Sequence, residues 1–306
     1  MSQEKTRLRD HDGFFRYVYS VPKNAKALLD ICSKNNSDLD RILAGVNLDT
    51  LVRLPDTYSE VGERGEADIA FKAHLSGGGE INVGILLEHK SKQEKSVLNQ
   101  VGRYALRVIM DHEDEVFSWI PTKAIIIYNG PTGWDPLAEF RKKARAKFQG
   151  NELPFECVLV NLAAANDIAC VESDSPAAAV GVMAMKYAFS PEGFKSAIPN
   201  VETILRKMSS AEQATLVEKI ILYLGEYIDE STVEELQMAW KSIGQRMGFV
   251  SAGDARRAAE KAGREEGLEK GLEKGFDNAL DIMRKLGVPE EKIQEAKAMQ
   301  EKASNN

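Results

Sequence analysis

Residues 66–93 read EADIAFKAHLSGGGEINVGILLEHKSKQ and contain two strand-like segments separated by a run of glycines. Because Ser76 and Gly77–Gly79 form a strong turn signal, we predict that the two segments pair as an antiparallel hairpin. The second segment carries the apolar run GILL and then ends abruptly in Glu88, His89 and Lys90. A buried strand normally stays apolar to its end or stops at a turn. The charged residues at this strand end therefore need a chemical explanation.

The positions of Asp68 and Glu88 suggest that the two acids bind a divalent cation. Side chains alternate between the two faces of a strand, so Asp68 shares a face with Lys72, and Glu88 shares a face with Lys90. The glycine turn would bring Asp68 and Glu88 to the same end of the hairpin. Two neighbouring carboxylates repel each other, and burial raises the cost. A divalent cation relieves both problems, and Mg²⁺ prefers carboxylate oxygens together with the oxygens of water and phosphate.

The remaining groups at this strand end fit the same interpretation. The main-chain carbonyl of His89 would supply a third oxygen ligand, whereas its ring points away and is expected to be packed in the interior. Lys90 would lie beside the attacking water, where it could orient the water and stabilise charge that builds on phosphorus. The alternative is ordinary ion pairing, with Asp68 bound to Lys72 or Arg64 and Glu88 bound to Lys90.

The helix that follows favours a site over simple ion pairs. Val97, Val101 and Val108 recur at helical spacing between residues 92 and 110. Gln100 and Tyr104 are separated by four positions and therefore project from one face of this helix. They could line a polar wall around a phosphodiester, or they could lie on a half-buried face with the tyrosine packed on the sheet.

The overall pattern predicts an α/β fold with a mixed central sheet flanked by helices and a helical C-terminal extension. A β-branched run at residues 123–128, closed by Asn-Gly-Pro, predicts a buried central strand. We predict a domain of residues 1–165, a helical extension of residues 166–250 and a tail of residues 251–306. The other predicted elements are a helix at 24–32, a loop with a short strand at 47–59, a basic helix at 136–148, a strand at 155–162, and helices within 176–248.

The tail contains the repeat GREEGLEKGLEKG, in which a glycine recurs at every fourth position. A solvated, weakly stable helix explains the repeat, although each interior glycine costs about 1 kcal/mol relative to alanine. Close approach of a second helix along the glycine stripe is the alternative. On that second interpretation we expect a homodimer or a higher homo-oligomer.

Composition narrows the class of protein. A hydrophobic fraction of 43% with 28% charged residues is typical of a globular chain. An apolar run of about 18 residues, which a membrane span requires, does not occur. The three cysteines are scattered without a CxxC motif, which indicates reduced thiols. The charged first residues do not resemble a secretion signal. We therefore expect a cytoplasmic protein with no membrane partner.

The charge is unevenly distributed along the chain. The net charge of −7 argues mildly against a nucleic-acid partner. However, residues 1–150 carry a net charge of +1, and the remaining residues carry −8. The first half can therefore still present the local basic surface that phosphate contacts require.

The constellation of acids, lysine and helix resembles the PD-(D/E)XK nuclease superfamily, including the QxxxY helix of its RecB-like branch. HDGFFRYVYS, GEADIAFK, GILLEHKS, QVGRY and IIIYNGPTGW occur in this order over roughly residues 8–165. Together they resemble the Rpn family of recombination-promoting nucleases, a transposase-like group in which the EKG-rich tail also recurs. The resemblance implies a restriction-endonuclease-like core and cleavage of DNA that promotes recombination.

The resemblance also implies roles for individual residues. Asp68, Glu88 and Lys90 match the catalytic positions, and the two acids would hold Mg²⁺, for which Mn²⁺ could substitute. Ala67 replaces the proline of the superfamily motif, which lowers the specificity of the motif. No phosphate-binding loop, GxGxxG or GxSxG motif competes with this assignment.

Gln100 and Tyr104, together with Arg103 on the same helix, would bind the substrate. Asp12, with His11 beside it, is a candidate for the accessory acid that the superfamily often takes from its first helix. The two residues could instead form a helix cap and a structural pair. Two alternatives to an active endonuclease remain: a catalytically silent DNA-binding module, and a partner-regulated interaction module on a nuclease fold.

Overall fold

Five strands form one mixed sheet in the computed structural model, in the order in which they occur along the chain. The first strand pairs antiparallel with the second and the second with the third, whereas the third pairs parallel with the fourth and the fourth with the fifth. The strands are β1 (Val46–Arg53), β2 (Ile69–Leu75), β3 (Asn82–Lys90), β4 (Thr122–Tyr128) and β5 (Glu156–Asn161).

The structure describes residues 13–54, 69–76, 82–110, 122–148, 153, 155–224 and 230–248, and in the tail 275–276, 278–280, 283, 285–286 and 288–294. Side chains are not described at 82–83, 107–110, 143–148 and 230. His11, Asp12 and Asp68 of the predicted site lie outside these ranges. The glycine turn at 77–79 and the tail repeat up to residue 274 also lie outside them.

Helices cover both faces of the sheet and make up the described region after β5. Residues 13–19 are helical and are called α1. The others are α2 (Pro22–Ser33), α3 (Ser37–Leu43), α4 (Val97–Met110), α5 (Pro136–Phe148), α6 (Asp167–Glu172), α7 (Pro176–Lys186), α8 (Pro191–Leu205), α9 (Ser210–Leu224) and α10 (Glu230–Arg246). A short 3₁₀ turn, Leu162–Ala164, follows β5.

The two faces of the sheet pack against different helices, because side chains alternate between the two sides of a strand. One face carries Phe71, Leu87 and Ile127 into a large apolar core that also contains residues of α1, α2, α7 and α9. The other face carries Leu86 and Ile126 into a smaller cluster with the buried α4 residues Val97, Val101 and Ala105. Residues 88 and 90 continue the row of Leu86, so their side chains lie on the α4 side.

The helices after residue 165 share their core with the sheet. Eight residues of α7 are buried, and the large cluster extends to Ile243 in α10. Residues Met1–Phe249 form one compact unit, and Val250–Asn306 form a second. In the second unit, residues 278–280 and 290–293 are helical, and Val288 and Pro289 between them are not.

The predicted fold class is confirmed: a mixed sheet lies between helices and a helical region follows it. The hairpin is also confirmed, since Ile69 pairs with Leu87 and His74 with Asn82 in antiparallel register. The first strand is longer than predicted. A bulge between Asn47 and Val52 interrupts its alternation, which explains why the sequence indicated only a short strand there.

Candidate active site

The end of β3 places a buried carboxylate beside an ammonium group. The side chain of Glu88 is 1% exposed and that of Lys90 is 15% exposed. Lys90 Nζ lies 2.8 Å from Glu88 Oε1. β3 has a neighbour on each side, so its backbone is fixed by hydrogen bonds to β2 and β4. A carboxylate this deeply buried is tolerable only when a partner compensates its charge.

A second acid holds the same lysine. Glu94, in the loop between β3 and α4, places Oε2 3.0 Å from Lys90 Nζ, and Ser96 Oγ donates to Glu94 Oε1 at 2.8 Å. Burial alone would raise the pKa of Glu94, but the Lys90 ammonium and the hydrogen bonds from Ser96 and Lys90 outweigh burial and lower the pKa. Glu94 was not predicted from the sequence. A lysine and a glutamate four positions apart indicate an ion pair on a helix, whereas Lys90 and Glu94 form their ion pair across the end of β3 and the loop that follows it.

The helix α4 brings the Gln-Tyr pair to the same place. Gln100 is 8% exposed, and Tyr104 is half-buried against the small apolar cluster. Burial raises the pKa of the Tyr104 phenol and the Glu88 carboxylate raises it further, against the opposing effects of a hydrogen bond from Gln100 and of the Arg103 and Lys90 charges. The structure therefore brings Glu88, Lys90, Gln100 and Tyr104 together, with Arg103 exposed beside them.

The second predicted metal ligand, Asp68, is outside the described residues. It is bonded to Ile69, whose strand partner Leu87 directly precedes Glu88. Among the residues that the structure describes, no group of three or more histidine, cysteine, aspartate or glutamate side chains could hold a metal ion. The described part of the site contains two carboxylates, Glu88 and Glu94, of which Glu88 is a predicted metal ligand. The roles of Asp68, His11 and Asp12 stay predictions.

His89 points to the opposite face, as expected. Its ring is 1% exposed and stacks on Phe15, with the ring centroids 5.0 Å apart. Its Nε2 lies 2.9 Å from Oδ1 of Asn129. The prediction that His89 is a packed histidine rather than a ligand through its ring agrees with these contacts.

The loop after β4 supports the end of β3. The backbone N–H of Asn129 donates to the carbonyl of Lys90 at 3.1 Å. Gln93, in the β3–α4 loop, donates through Nε2 to Thr132 Oγ1 at 3.2 Å and to the carbonyl of Gly133 at 3.1 Å. The NGPTGW segment is thus a support for the candidate site as well as a turn.

A cleft of about 510 Å³ lies elsewhere, between α2, β1 and residues 172–175. Its lining mixes Lys23, Lys26 and Lys34 with Asp30 and Asp49. Lys26 already forms an ion pair with Asp49. We assign no chemistry to this cleft, because its opposite charges neutralise one another.

Comparison with known proteins places the chain in a family. The model of a family described as "Putative transposase, YhgA-like" matches residues 9–216, which is more than half of the chain. The chain belongs to this family. No curated protein and no solved structure gives a significant match. The matched region contains all five strands and continues through α8 into α9, so the family unit includes helices beyond residue 165.

Membership confirms the resemblance to the Rpn, transposase-like family and indicates a transposase-like role. Within the described residues, none of the helices combines the length and apolar character needed to cross a membrane.

Proposed function

We propose that this protein is a Mg²⁺-dependent endonuclease that hydrolyses phosphodiester bonds of DNA. The observation that carries the proposal is the buried Glu88 carboxylate in contact with Lys90, with Tyr104 of α4 close enough for the Glu88 and Lys90 charges to act on its phenol. Membership of a transposase-like family supports DNA as the partner. The proposed role is to cleave DNA in a way that promotes recombination.

The described donor fits a divalent cation. Glu88 offers a hard carboxylate oxygen in a nearly dry position, and Asp68 is proposed as the second ligand. Mg²⁺, or Mn²⁺ in its place, would lower the pKa of the attacking water and would neutralise negative charge on the phosphate.

Side chains of β3 and α4 would bind the substrate and stabilise the charge that develops during hydrolysis. Lys90 is close enough to Glu88 to orient the attacking water, and its ammonium group would stabilise negative charge that develops on the phosphoryl oxygens. The raised pKa of Tyr104 keeps its phenol protonated, so the hydroxyl can donate a hydrogen bond to a phosphate oxygen. Gln100 lies one helical turn before Tyr104 on α4 and would share in binding the substrate, and the exposed Arg103 is placed to bind a neighbouring phosphate.

Nicking of supercoiled plasmid tests the proposal. We expect the wild type to convert plasmid to open circles with Mg²⁺ and to stop when the metal is chelated. Glu88→Gln and Asp68→Asn should both abolish nicking, because an amide keeps the shape of the side chain but loses the charge that holds the metal. Glu156→Gln is the matched control, since Glu156 pairs with Lys123 on the sheet away from the site.

The outcomes separate the alternatives. Undiminished nicking by either site variant would rule out the two-carboxylate site. A wild type that binds plasmid without cutting it under any divalent cation would favour the catalytically silent DNA-binding module instead.

A further inference from the structure

Asn129, at the end of β4, contacts three other elements of the fold. Its side chain is buried, with 4% of the residue exposed. Its backbone N–H donates to the carbonyl of Lys90 at 3.1 Å, and its Oδ1 lies 2.9 Å from Nε2 of His89. Its Nδ2 donates to the carbonyl of Met185 in α7 at 3.3 Å and to Tyr223 Oη in α9 at 3.0 Å.

These contacts determine the direction of each hydrogen bond. A carboxamide has two N–H donors and one oxygen acceptor. Because the nitrogen of Asn129 is directed at Met185 and Tyr223, its oxygen must accept a hydrogen bond from the N–H at His89 Nε2. Burial raises the pKa of the Tyr223 phenol, outweighing the hydrogen bond from Asn129, so Tyr223 stays neutral. A neutral His89 in this setting has its proton on Nε2.

Two neighbouring aromatic residues of α1 pack on both ends of this chain of hydrogen bonds. Phe15 stacks on His89 with the ring planes 14° apart, and Phe14 stacks on Tyr223 with the ring centroids 4.6 Å apart. The FFRY segment and the asparagine after β4 were both noted in the sequence. The proposed nuclease chemistry uses neither of them.

We propose that Asn129 is a positioning residue for the Glu88–Lys90 site and that it makes the geometry of this site depend on α7 and α9. The inference rests on the proposed function. His89 lies between Glu88 and Lys90 and points to the opposite face, so fixing its ring fixes the backbone from which both catalytic side chains project. The hydrogen bond from Asn129 to the Lys90 carbonyl fixes the next peptide. A displacement of α9 would move Tyr223 and, through the hydrogen bond between Tyr223 and Asn129, would change the geometry of the site.

Kinetics of plasmid nicking give the first test. Asn129→Ala should lower kcat about 10-fold or more while the KM for plasmid stays unchanged, as is typical when a support of a catalytic group is removed. Tyr223→Phe keeps the ring stacked but loses the hydroxyl, and should lower kcat in the same direction by a smaller factor. Loss of stability alone would not produce this split between kcat and KM at temperatures well below unfolding.

Gln213→Ala is the matched control. Gln213, in α9, is another buried side-chain amide, and it donates to the carbonyls of Leu205 at 2.8 Å and Met208 at 2.9 Å, neither of which belongs to β3. We expect it to lower the thermal midpoint while kcat stays at the wild-type value. An equal fall of kcat in Gln213→Ala and Asn129→Ala would overturn the proposal, because the effect would then follow stability alone.

Nitrogen NMR of the histidine rings gives a second test that needs no DNA. The chain has four histidines, so the signal of His89 can be assigned by its loss in His89→Gln. The wild type should show the Nε2–H tautomer, and Asn129→Ala should show a mixture of tautomers. An unchanged His89 signal in Asn129→Ala would overturn the proposal. Absence of nicking by the wild type would overturn the nuclease assignment, while this signal still reports whether Asn129 holds His89.

Discussion

At the scale of single residues, we expect the Glu88–Lys90 ion pair to affect both stability and the proposed catalysis. Lys90→Ala would leave a nearly fully buried carboxylate with one partner fewer, and breaking such a pair typically costs about 3–5 kcal/mol. We also expect turnover to fall by about 10²-fold, the usual effect of removing one electrostatic stabiliser, with a much smaller change in DNA affinity. Urea denaturation and single-turnover nicking measure the two effects.

The matched control for Lys90 is Lys123→Ala. Lys123 pairs with Glu156, which is half exposed, and such pairs contribute about 1 kcal/mol or less. Addition of Mg²⁺ should recover part of the stability lost in Lys90→Ala and have no such effect on the control. If DNA binding fell in parallel with turnover, Lys90 would be a phosphate anchor rather than a catalytic group.

The cysteines provide an independent residue-scale test of the packing. Burial raises the pKa of Cys32, of Cys157 to about 12 and of Cys170 to about 12. Thiolate forms only as the pH approaches the raised pKa, and the thiolate is the reactive species. At mildly alkaline pH, the folded chain should therefore resist iodoacetamide, whereas the unfolded chain takes up three labels. Mass spectrometry counts the labels, and rapid labelling of folded protein would contradict the described burial.

At the scale of elements, the loop after β4 is expected to control the end of β3. A Cβ at Gly130 would lie 2.6 Å from the carbonyl oxygen of Ser91 and 2.2 Å from Tyr128 Oη, so the backbone must shift. Gly130→Ala should cost about 1–3 kcal/mol and should reduce nicking, because the shift reaches the residue next to Lys90. Gly133→Ala in the same loop meets nothing within 4 Å and should behave like the wild type. Equal nicking by the two variants would contradict this role of the loop.

Strands and helices could be predicted from the sequence where their apolar pattern lies within one short segment of the chain. The GILL run and the Val97–Val101 spacing indicate β3 and α4, and both are buried as predicted. The parallel pairing of β3 with β4 depends on contacts between segments far apart in sequence. The hydrogen bond between Asn129 and Tyr223 joins residues 94 positions apart. An Asn-Gly-Pro sequence signals a turn whether or not its asparagine is buried, so the pattern could not distinguish the two roles.

At the scale of the whole molecule, the compact unit Met1–Phe249 contains the large core that packs against the sheet. Among the described residues, that core includes nothing beyond Met247. The second unit, Val250–Asn306, buries Leu280 and Ile293. The family match also ends before it, at residue 216. All residues of the proposed site lie in the first unit.

Removal of residues 251–306 tests what the tail contributes. A glycine at every fourth position would expose a strip of backbone on a helix, and a single chain would lose helix stability at each of those glycines without gaining a contact. We therefore expect the full chain to self-associate and the shortened chain to do so more weakly, with nicking retained. Sedimentation velocity of both chains over a concentration series measures the masses, and plasmid nicking serves as the control for folding. A monomeric mass for each of the two chains at every concentration would contradict self-association through the tail, whereas loss of nicking in the shortened chain would show that the tail completes the site.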